Sequence, residues 1–265
     1  MIYETRTFQS TNRQKSRQNT NTQTSQTYRL HFILFVNCVL FGILDTVLCV
    51  FSFMKKIVIL DYGVGNLHSL RRAFHFCGIE AVVTEDAEVV GKADAFVLPG
   101  VGSFEAGMRG LAVRGLIKAV KTHVASNKPV LGICLGAQLM MERGYEFGKH
   151  IGLGIIQGEV VRFPKLAEKE KIPQIGWNNV KKPEGVSWDK TIFDSFCGSP
   201  ISVYFVHSYI LVPKYKENIL GLSEYGDITF CSAIRQGNIF GTQFHPEKSG
   251  KVGLEIIRNF ITLVQ

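Results

Sequence analysis

From Met54 onward, short apolar segments alternate with segments of helical pattern, and this alternation strongly constrains the fold. The predicted strands are 56–60, 79–84, 94–98 and 129–133, and the predicted helices are 67–77, 104–126 and 135–143. Strands that alternate with helices favour a parallel sheet covered by helices. The predicted fold class is therefore α/β, a mostly parallel sheet with helices on both faces.

The C-terminal half has a different pattern, in which β segments follow one another. They are predicted at 158–163, 172–180, 201–212, 229–235 and 239–244, before a closing helix at 250–264. Gln236-Gly237-Asn238 separates the last two segments and is typical of a hairpin turn. This half is therefore predicted to add an antiparallel β portion to the sheet.

Residues 1–53 differ from the rest of the chain, since a polar stretch at 9–28 is followed by an apolar run from Leu30 to Phe53. The run is long enough to cross a bilayer as a tether, and it also resembles a late signal-peptide core. A third reading is that translation starts at Met54. We favour that reading, because strand, loop and helix patterns begin there. Residues 1–53 are then an extension outside the native fold, and 54–265 form the domain.

Charge and cysteine usage narrow the class of protein. The net charge of +8 fits a solvated basic surface or a face for an anionic partner, and no basic cluster interleaved with aromatic residues indicates nucleic-acid binding. The six cysteines include no CxxC pair, and no histidine cluster has zinc spacing. We therefore expect a cytoplasmic protein without a metal site, and we do not expect membrane association.

The strongest local motif is Gly132-Ile133-Cys134-Leu135-Gly136, which lies where a predicted strand gives way to a helix. A nucleophile between small residues at such a junction is typical of a nucleophile elbow. The helix N-terminus favours a thiolate, and the N–H group of Leu135 would point at a developing oxyanion. A buried cysteine in a glycine-rich turn is the alternative reading.

A cysteine nucleophile needs a base, and the base needs an orienting group. His245 follows an apolar segment, with Glu247 two residues further on, so both side chains can lie on the same side of an extended segment. Glu247 could then hold the imidazole in one tautomer. On its own, His-Pro-Glu fits a surface turn better than a catalytic site, and His207 is the competing base.

Two glycine-rich turns follow predicted strands. Pro99-Gly100-Val101-Gly102-Ser103 lies at the ligand-binding edge of a parallel sheet, where its N–H groups could complete an oxyanion hole; it could also serve only as a tight turn. The turn at 61–66 resembles a phosphate-binding loop but lacks the third glycine. We therefore do not predict a nucleotide site there.

Together these motifs resemble the class I glutamine amidotransferases. Within that class, segments 59–66, 175–178, 204–209 and 241–249 resemble the glutaminase subunit of imidazole glycerol phosphate synthase. The resemblance covers about residues 54–265, and the motifs are spread through that range. Family members typically start next to the first strand, which agrees with a start at Met54.

The resemblance implies a glutaminase mechanism without a cofactor. Cys134 would attack the side-chain amide of L-glutamine, His245 would relay the proton, and Glu247 would orient His245. Water would then hydrolyse the γ-glutamyl thioester. The substrate-binding positions implied by the family are Gln138, Glu146 and the backbone of Ser208 and Tyr209.

The resemblance also implies a partner, a (β/α)₈ cyclase subunit (HisF-type) that forms a heterodimer with this chain. The cyclase would use the ammonia to make imidazole glycerol phosphate in histidine biosynthesis. Tyr204 and Lys248 fall at the family's subunit interface. The loop from Gly100 to Gly102 maps onto the oxyanion strand, whose arrangement in the family responds to the partner's ligand.

Two departures from the family pattern leave alternatives open. Ala137 stands where methionine is common, and Gln174 stands where histidine is common. A paralogous glutaminase that supplies ammonia for amidination of surface sugars is one alternative, and gene neighbours would separate it from a histidine-pathway enzyme. A non-catalytic, amidotransferase-like binding module is another. The intact set of Cys134, His245 and Glu247 counts against it.

Overall fold

The computed structural model describes residues 55–166, 170–197 and 199–264. The predictions for residues 1–53 and for a start at Met54 lie outside these ranges. Within them, no helix combines the length and apolar character that a membrane crossing requires.

Strands and helices alternate through the first half of the described chain. The strands are β1 (Ile57–Leu60), β2 (Val82–Thr84), β3 (Ala95–Leu98), β4 (Val130–Ile133), β5 (Met141–Gly144), β6 (His150–Ile151), β7 (Ile156–Arg162), β8 (Gln174–Val180), β9 (Ile201–His207), β10 (Tyr209–Pro213), β11 (Ile219–Tyr225), β12 (Ile228–Gln236) and β13 (Ile239–Thr242). The α-helices are α1 (Leu67–Phe76), α2 (Ala87–Lys92), α3 (Phe104–Val113), α4 (Leu116–Ala125), α5 (Leu135–Leu139) and α6 (Gly250–Leu263). Short 3₁₀ turns occupy Asp194–Phe196, Lys216–Asn218 and Pro246–Lys248.

Within the described residues, eleven strands form the central sheet, in the order β2-β1-β3-β4-β13-β12-β10-β7-β5-β6, and β11 pairs with β12. The five strands from β2 to β13 in this order are parallel to one another. The hairpin between β12 and β13 then begins an antiparallel portion. Strands β8 and β9 form a separate antiparallel pair. The predicted fold class is confirmed, including the antiparallel addition in the C-terminal half.

The side chains of β1 show how the sheet is covered on both faces. Ile57 and Ile59 join the cluster that contains Phe74 of α1 and Phe260 of α6. Val58 and Leu60 join the opposite cluster, which contains buried residues of α2, α3, α4 and α5. A strand buried on both faces needs a continuous apolar run rather than an alternating one, and β1 has that run.

Two predicted helices are wrong in their extent. The helix predicted at 104–126 is two helices, because Gly115 takes a left-handed conformation with φ +65 at the start of α4. The helix predicted at 135–143 ends at Leu139, and β5 follows, pairing with β7. Met141, which the predicted helix included, is buried at the start of β5 instead.

The β segment predicted at 201–212 is two strands that belong to different sheets. Strand β9 pairs with β8, whereas β10 pairs with β7 and β12. The chain changes sheets at Ser208, which therefore lies at the boundary between them. This change of sheets places Ser208 and Tyr209 beside the carboxyl end of β4, where Cys134 lies.

Candidate active site

Cys134 lies directly after β4 and caps the N-terminus of α5, in a backbone conformation of φ +50 and ψ −106. A non-glycine residue at positive φ is uncommon and costs on the order of 1–3 kcal/mol. The Cys134 N–H group donates to the Thr242 carbonyl oxygen at 2.7 Å, which holds this conformation.

The two glycines of the motif are required by close contacts. A Cβ atom on Gly136 would lie 1.7 Å from the Leu98 carbonyl oxygen, and one on Gly132 would lie 2.8 Å from the Ala137 nitrogen. Neither distance is possible for a side chain, since both neighbours are backbone atoms. The turn therefore has the strain and the close packing expected of a nucleophile elbow.

His245 and Glu247 form a buried pair after β13. The Nδ1 atom of His245 lies 2.8 Å from Glu247 Oε1, and the two side chains are 1% and 5% exposed. A carboxylate accepts, so Nδ1 carries the proton and donates to Glu247. Among the described residues, His245 Nε2 has no hydrogen-bond partner. Nε2 is therefore the nitrogen that remains available to the Cys134 thiol.

The surroundings of His245 favour its protonated form. Burial alone would lower its pKa, but Cys134 and Glu247 outweigh burial and raise the pKa from 6.5 to about 10. Because the folded-state pKa is the higher one, this pairing stabilises the fold fully below about pH 6.5, and the contribution is lost as pH rises through about 10. At neutral pH the site therefore holds an imidazolium next to the sulfur.

His207, the competing base, has a different environment. Its Nδ1 atom lies 2.8 Å from the Tyr209 carbonyl oxygen, and its Nε2 atom lies 3.0 Å from the side-chain amide of Gln174. Burial lowers its pKa to about 4, so it is neutral at physiological pH. Both ring nitrogens already have partners, and neither partner is a carboxylate.

A cavity of about 270 Å³ opens at the Cys134 sulfur. The residues that line it are Val101, Gly102, Cys134, Leu135, Gln138, Glu146, Pro173, Val206, His207, Ser208 and Tyr209. Seven of the predicted site residues are among them, and His245 and Glu247 are not among the lining residues. Of the remaining predicted residues, Gly100 adjoins this site, while Tyr204 and Lys248 do not line it.

Glu146 and Gln138 present polar groups to the cavity. Glu146 Oε2 accepts from the Phe104 N–H group at 2.7 Å, which fixes the carboxylate at the start of α3. Gln138 Nε2 donates to the Tyr209 carbonyl oxygen at 3.4 Å. An anion fixed in this way suits an ammonium group of a ligand.

Within the described ranges, no group of three or more His, Cys, Asp and Glu side chains is arranged to hold a metal.

The predicted oxyanion donor is already occupied. The Leu135 N–H group donates to the Gly100 carbonyl oxygen at 3.4 Å. Tyr62 donates its hydroxyl to the Pro99 carbonyl oxygen and so anchors the same loop. Gly102, at φ +122, has open space around it. In this arrangement Leu135 cannot serve an oxyanion unless the Gly100 peptide turns away.

The sequence reasoning missed Gln243 and Ser249, and both contact the predicted catalytic residues. Gln243 Nε2 lies 3.6 Å from Cys134 Sγ, and Ser249 Oγ donates to the His245 carbonyl oxygen at 2.6 Å. Gln243 precedes His245 by two residues, the same spacing that pointed to Glu247. That spacing was a usable signal for Gln243, whereas the contact of Ser249 depends on the 3₁₀ turn at Pro246–Lys248.

The parallel sheet and the cysteine elbow at its carboxyl edge are features of one class of protein. A comparison of the sequence with protein-family models identifies that class. Residues 58–264 match the family model of the class-I glutamine amidotransferases, and this match spans most of the chain. The chain therefore belongs to the class I glutamine amidotransferase family.

Within that family, several similar proteins are HisH subunits. The chain is 46% identical to imidazole glycerol phosphate synthase subunit HisH of Syntrophotalea carbinolica, over 77% of this chain and 98% of that protein. It is 44% identical to subunit HisH 1 of Legionella pneumophila (strain Lens), over 79% of this chain and 100% of that protein. At these identities and coverages, the chain is a HisH-type class I glutamine amidotransferase.

More distant solved structures share the fold. PurLQS from Thermotoga maritima aligns with a TM-score of 0.62 at 18% identity, covering 80% of this chain and 100% of that one. The glutaminase domain of CTPS from Trypanosoma brucei aligns with a TM-score of 0.55 at 15% identity, covering 78% of this chain and 94% of that one. At these identities the likeness concerns the fold alone.

Proposed function

We propose that this chain is the glutaminase subunit of an imidazole glycerol phosphate synthase, which hydrolyses glutamine and passes ammonia to a cyclase subunit in histidine biosynthesis. The observation that carries the proposal is the strained Cys134 elbow, which opens into the cavity beside the buried His245–Glu247 pair. The relatives named HisH point to the pathway.

The proposed reaction has two steps. The Cys134 thiolate attacks the side-chain carbonyl carbon of glutamine, the C–N bond breaks, and the His245 imidazolium gives its proton to the departing nitrogen, so ammonia leaves. Neutral His245 then takes a proton from water, which attacks the thioester. The C–S bond breaks, its electron pair returns to sulfur, and glutamate leaves. Glu247 stabilises the imidazolium before the first step, and again once His245 has taken the proton from water.

An exposed apolar surface on β8 supports the proposal that a partner subunit binds this chain. Ile175 and Trp177 of β8 are 62% and 59% exposed, although both are large and apolar. Trp177 packs edge-on against Tyr204, and the Lys248 ammonium lies 6.0 Å from the centre of the Tyr204 ring. Aromatic residues are enriched in interface cores, and charged residues such as Lys248 belong to the polar rim. We therefore place the (β/α)₈ cyclase (HisF-type) on this surface, in a heterodimer.

This surface is joined to the catalytic histidine through the backbone. The His245 N–H group donates to the Tyr204 carbonyl oxygen at 2.9 Å, and the Tyr204 N–H group donates to Ser249 Oγ at 3.0 Å. Ser249 in turn donates to the His245 carbonyl oxygen. Docking at Tyr204 therefore acts on a segment that is bonded directly to the active site.

The occupied Leu135 N–H group leads to a prediction about coupling. The isolated chain should hydrolyse glutamine at least about 100-fold more slowly than the complex loaded with its ribotide, because one misplaced oxyanion donor costs about 10²–10³ in rate. The measurement is steady-state glutamate release from the purified chain by itself, then with cyclase, then with cyclase and ribotide. Equal rates in all three would contradict the proposed function and favour a free-standing glutaminase.

The raised pKa of His245 leads to a prediction about pH. Glutamine turnover by the loaded complex should decline as pH rises through about 10, because the imidazolium that protonates the departing nitrogen is lost. In Glu247→Gln this decline should move to lower pH, since a charge that raises the pKa of His245 is removed. Rate–pH profiles of the two proteins provide the test. An unmoved alkaline limb would show that Glu247 does not act on His245.

A paralogue that serves sugar amidination remains the second candidate, because Gln174 replaces the histidine common in the family. Gln174 is 3% exposed and bonded to His207, which lines the cavity, so the replacement acts behind the cavity wall rather than on the partner surface. The ribotide dependence of the assay separates the two candidates. We place the protein in the cytoplasm, where the ribotide pathway and a reduced Cys134 thiol are both available.

A further inference from the structure

The Gln243 side chain is completely buried against the nucleophile and has no part in the roles assigned so far. Its Nε2 atom lies 3.6 Å from Cys134 Sγ, and its Oε1 atom lies 3.1 Å from Gln138 Nε2. The Gln243 N–H group donates to the Ser232 carbonyl oxygen at 2.9 Å, so the backbone of this residue is held on β12. The residue is 0% exposed.

The neighbouring groups fix which end of the Gln243 amide faces the sulfur. A backbone carbonyl only accepts, so Gln138 must turn its NH₂ group toward the Tyr209 oxygen. The same NH₂ group contacts Gln243, which must therefore offer its oxygen to Gln138. The NH₂ group of Gln243 is left facing Cys134 Sγ.

A further polar neighbour of the sulfur, the Val206 carbonyl group, suits the thiol but not the thiolate. The Val206 carbonyl oxygen lies 3.9 Å from Cys134 Sγ and can accept from the neutral thiol. Once the sulfur is ionised, that oxygen repels it. The His245 imidazolium is one donor to the ionised sulfur, and Gln243 Nε2 is a second donor among the described residues. An N–H bond to an ionised acceptor is stronger than one to a neutral acceptor.

We propose that Gln243 is a further catalytic residue, whose side-chain N–H group donates to the Cys134 thiolate and stabilises its charge. The bond acts before the attack on glutamine, and again when the C–S bond of the thioester breaks and the electron pair returns to sulfur. This role rests on the proposed glutaminase chemistry of Cys134. It does not depend on which pathway receives the ammonia.

The test is alkylation of Cys134 by iodoacetamide in the full chain at neutral pH, followed peptide by peptide with mass spectrometry. Gln243→Met keeps the length of the side chain but has no donor. Loss of a charge-assisted hydrogen bond should slow alkylation of Cys134 by about 10- to 100-fold. The exposed Cys197 should react at an unchanged rate and serves as the internal reference.

Ser232→Ala is the matched control. Ser232 is buried next to Gln243, and its hydroxyl has no hydrogen-bond partner among the described residues. Alanine at this position keeps the backbone carbonyl that accepts from the Gln243 N–H group. The control should be alkylated at the rate of the unchanged chain. Gln243→Leu is a second donor-free variant of different shape, and circular dichroism melting verifies that each variant is folded.

Three results would each overturn the catalytic role of Gln243. One is a folded donor-free variant whose Cys134 reacts at the normal rate. Another is slowing of equal size in Ser232→Ala, which would indicate a general packing effect. In the loaded complex the Gln243→Met change should lower kcat; the third result is a rise in KM alone, which would mean that Gln243 acts only through Gln138. Because alkylation needs neither cyclase nor glutamine, failure of the histidine-pathway assignment would leave this result unaffected.

Discussion

Replacing the proposed nucleophile, in Cys134→Ala, should lower glutamine-dependent turnover of the complex by about 10⁴-fold or more, the scale of losing a catalytic nucleophile. The cavity offers no second thiol, because Cys134 is the only cysteine among its described lining residues. The cyclase reaction with added ammonium salt should keep its rate. Both rates are measured on the same assembled complex, with glutamine and then with ammonium as the nitrogen source.

Cys231→Ala is the control for this experiment. Cys231 is also buried, burial raises its pKa to about 12, and it does not line the cavity. The control should retain both activities. Glutamine turnover that survives Cys134→Ala would remove Cys134 from the mechanism. Loss of the ammonium-dependent rate as well would instead indicate that the substitution disturbs assembly with the cyclase.

The elbow could be predicted from sequence because its requirements are local. Gly132 and Gly136 are required because nearby backbone atoms of the same chain leave no space for a Cβ atom. This requirement is visible in the sequence as a pair of glycines around the cysteine. The apolar run of β1 likewise indicated a strand buried on both faces. Local steric and burial requirements therefore made the elbow and the strand β1 predictable from the sequence.

Contacts between distant segments were not predictable in the same way. His207 and Gln174 are 33 positions apart, and their hydrogen bond exists only because β8 pairs with β9. The bond from Leu135 to Gly100 likewise depends on how two loops meet at the sheet edge. The end of α5 at Leu139 was missed because buried apolar residues have no helical or strand period of their own.

The choice between the two histidines gives the second large expected effect. His245→Asn and His207→Asn are a matched pair, because the asparagine amide can replace the Nδ1 donor in each while Nε2 is removed. At position 245 this change keeps the bond to Glu247 and removes the atom that faces the thiol. Glutamine turnover should fall by about 10²–10⁴-fold, the usual contribution of general acid–base catalysis.

At position 207 the same change keeps the bond to the Tyr209 oxygen and removes the contact with Gln174. The loss should be about tenfold or less, because a neutral hydrogen bond contributes only about 0.5–1.5 kcal/mol. The pKa of His207, near 4, also leaves no proton there to give to a departing nitrogen at neutral pH. Steady-state turnover of the two loaded complexes, each verified by its ammonium-dependent rate, makes the comparison. If the folded His207→Asn complex were the more impaired, the base would be His207, and the pairing of His245 with Glu247 would be structural.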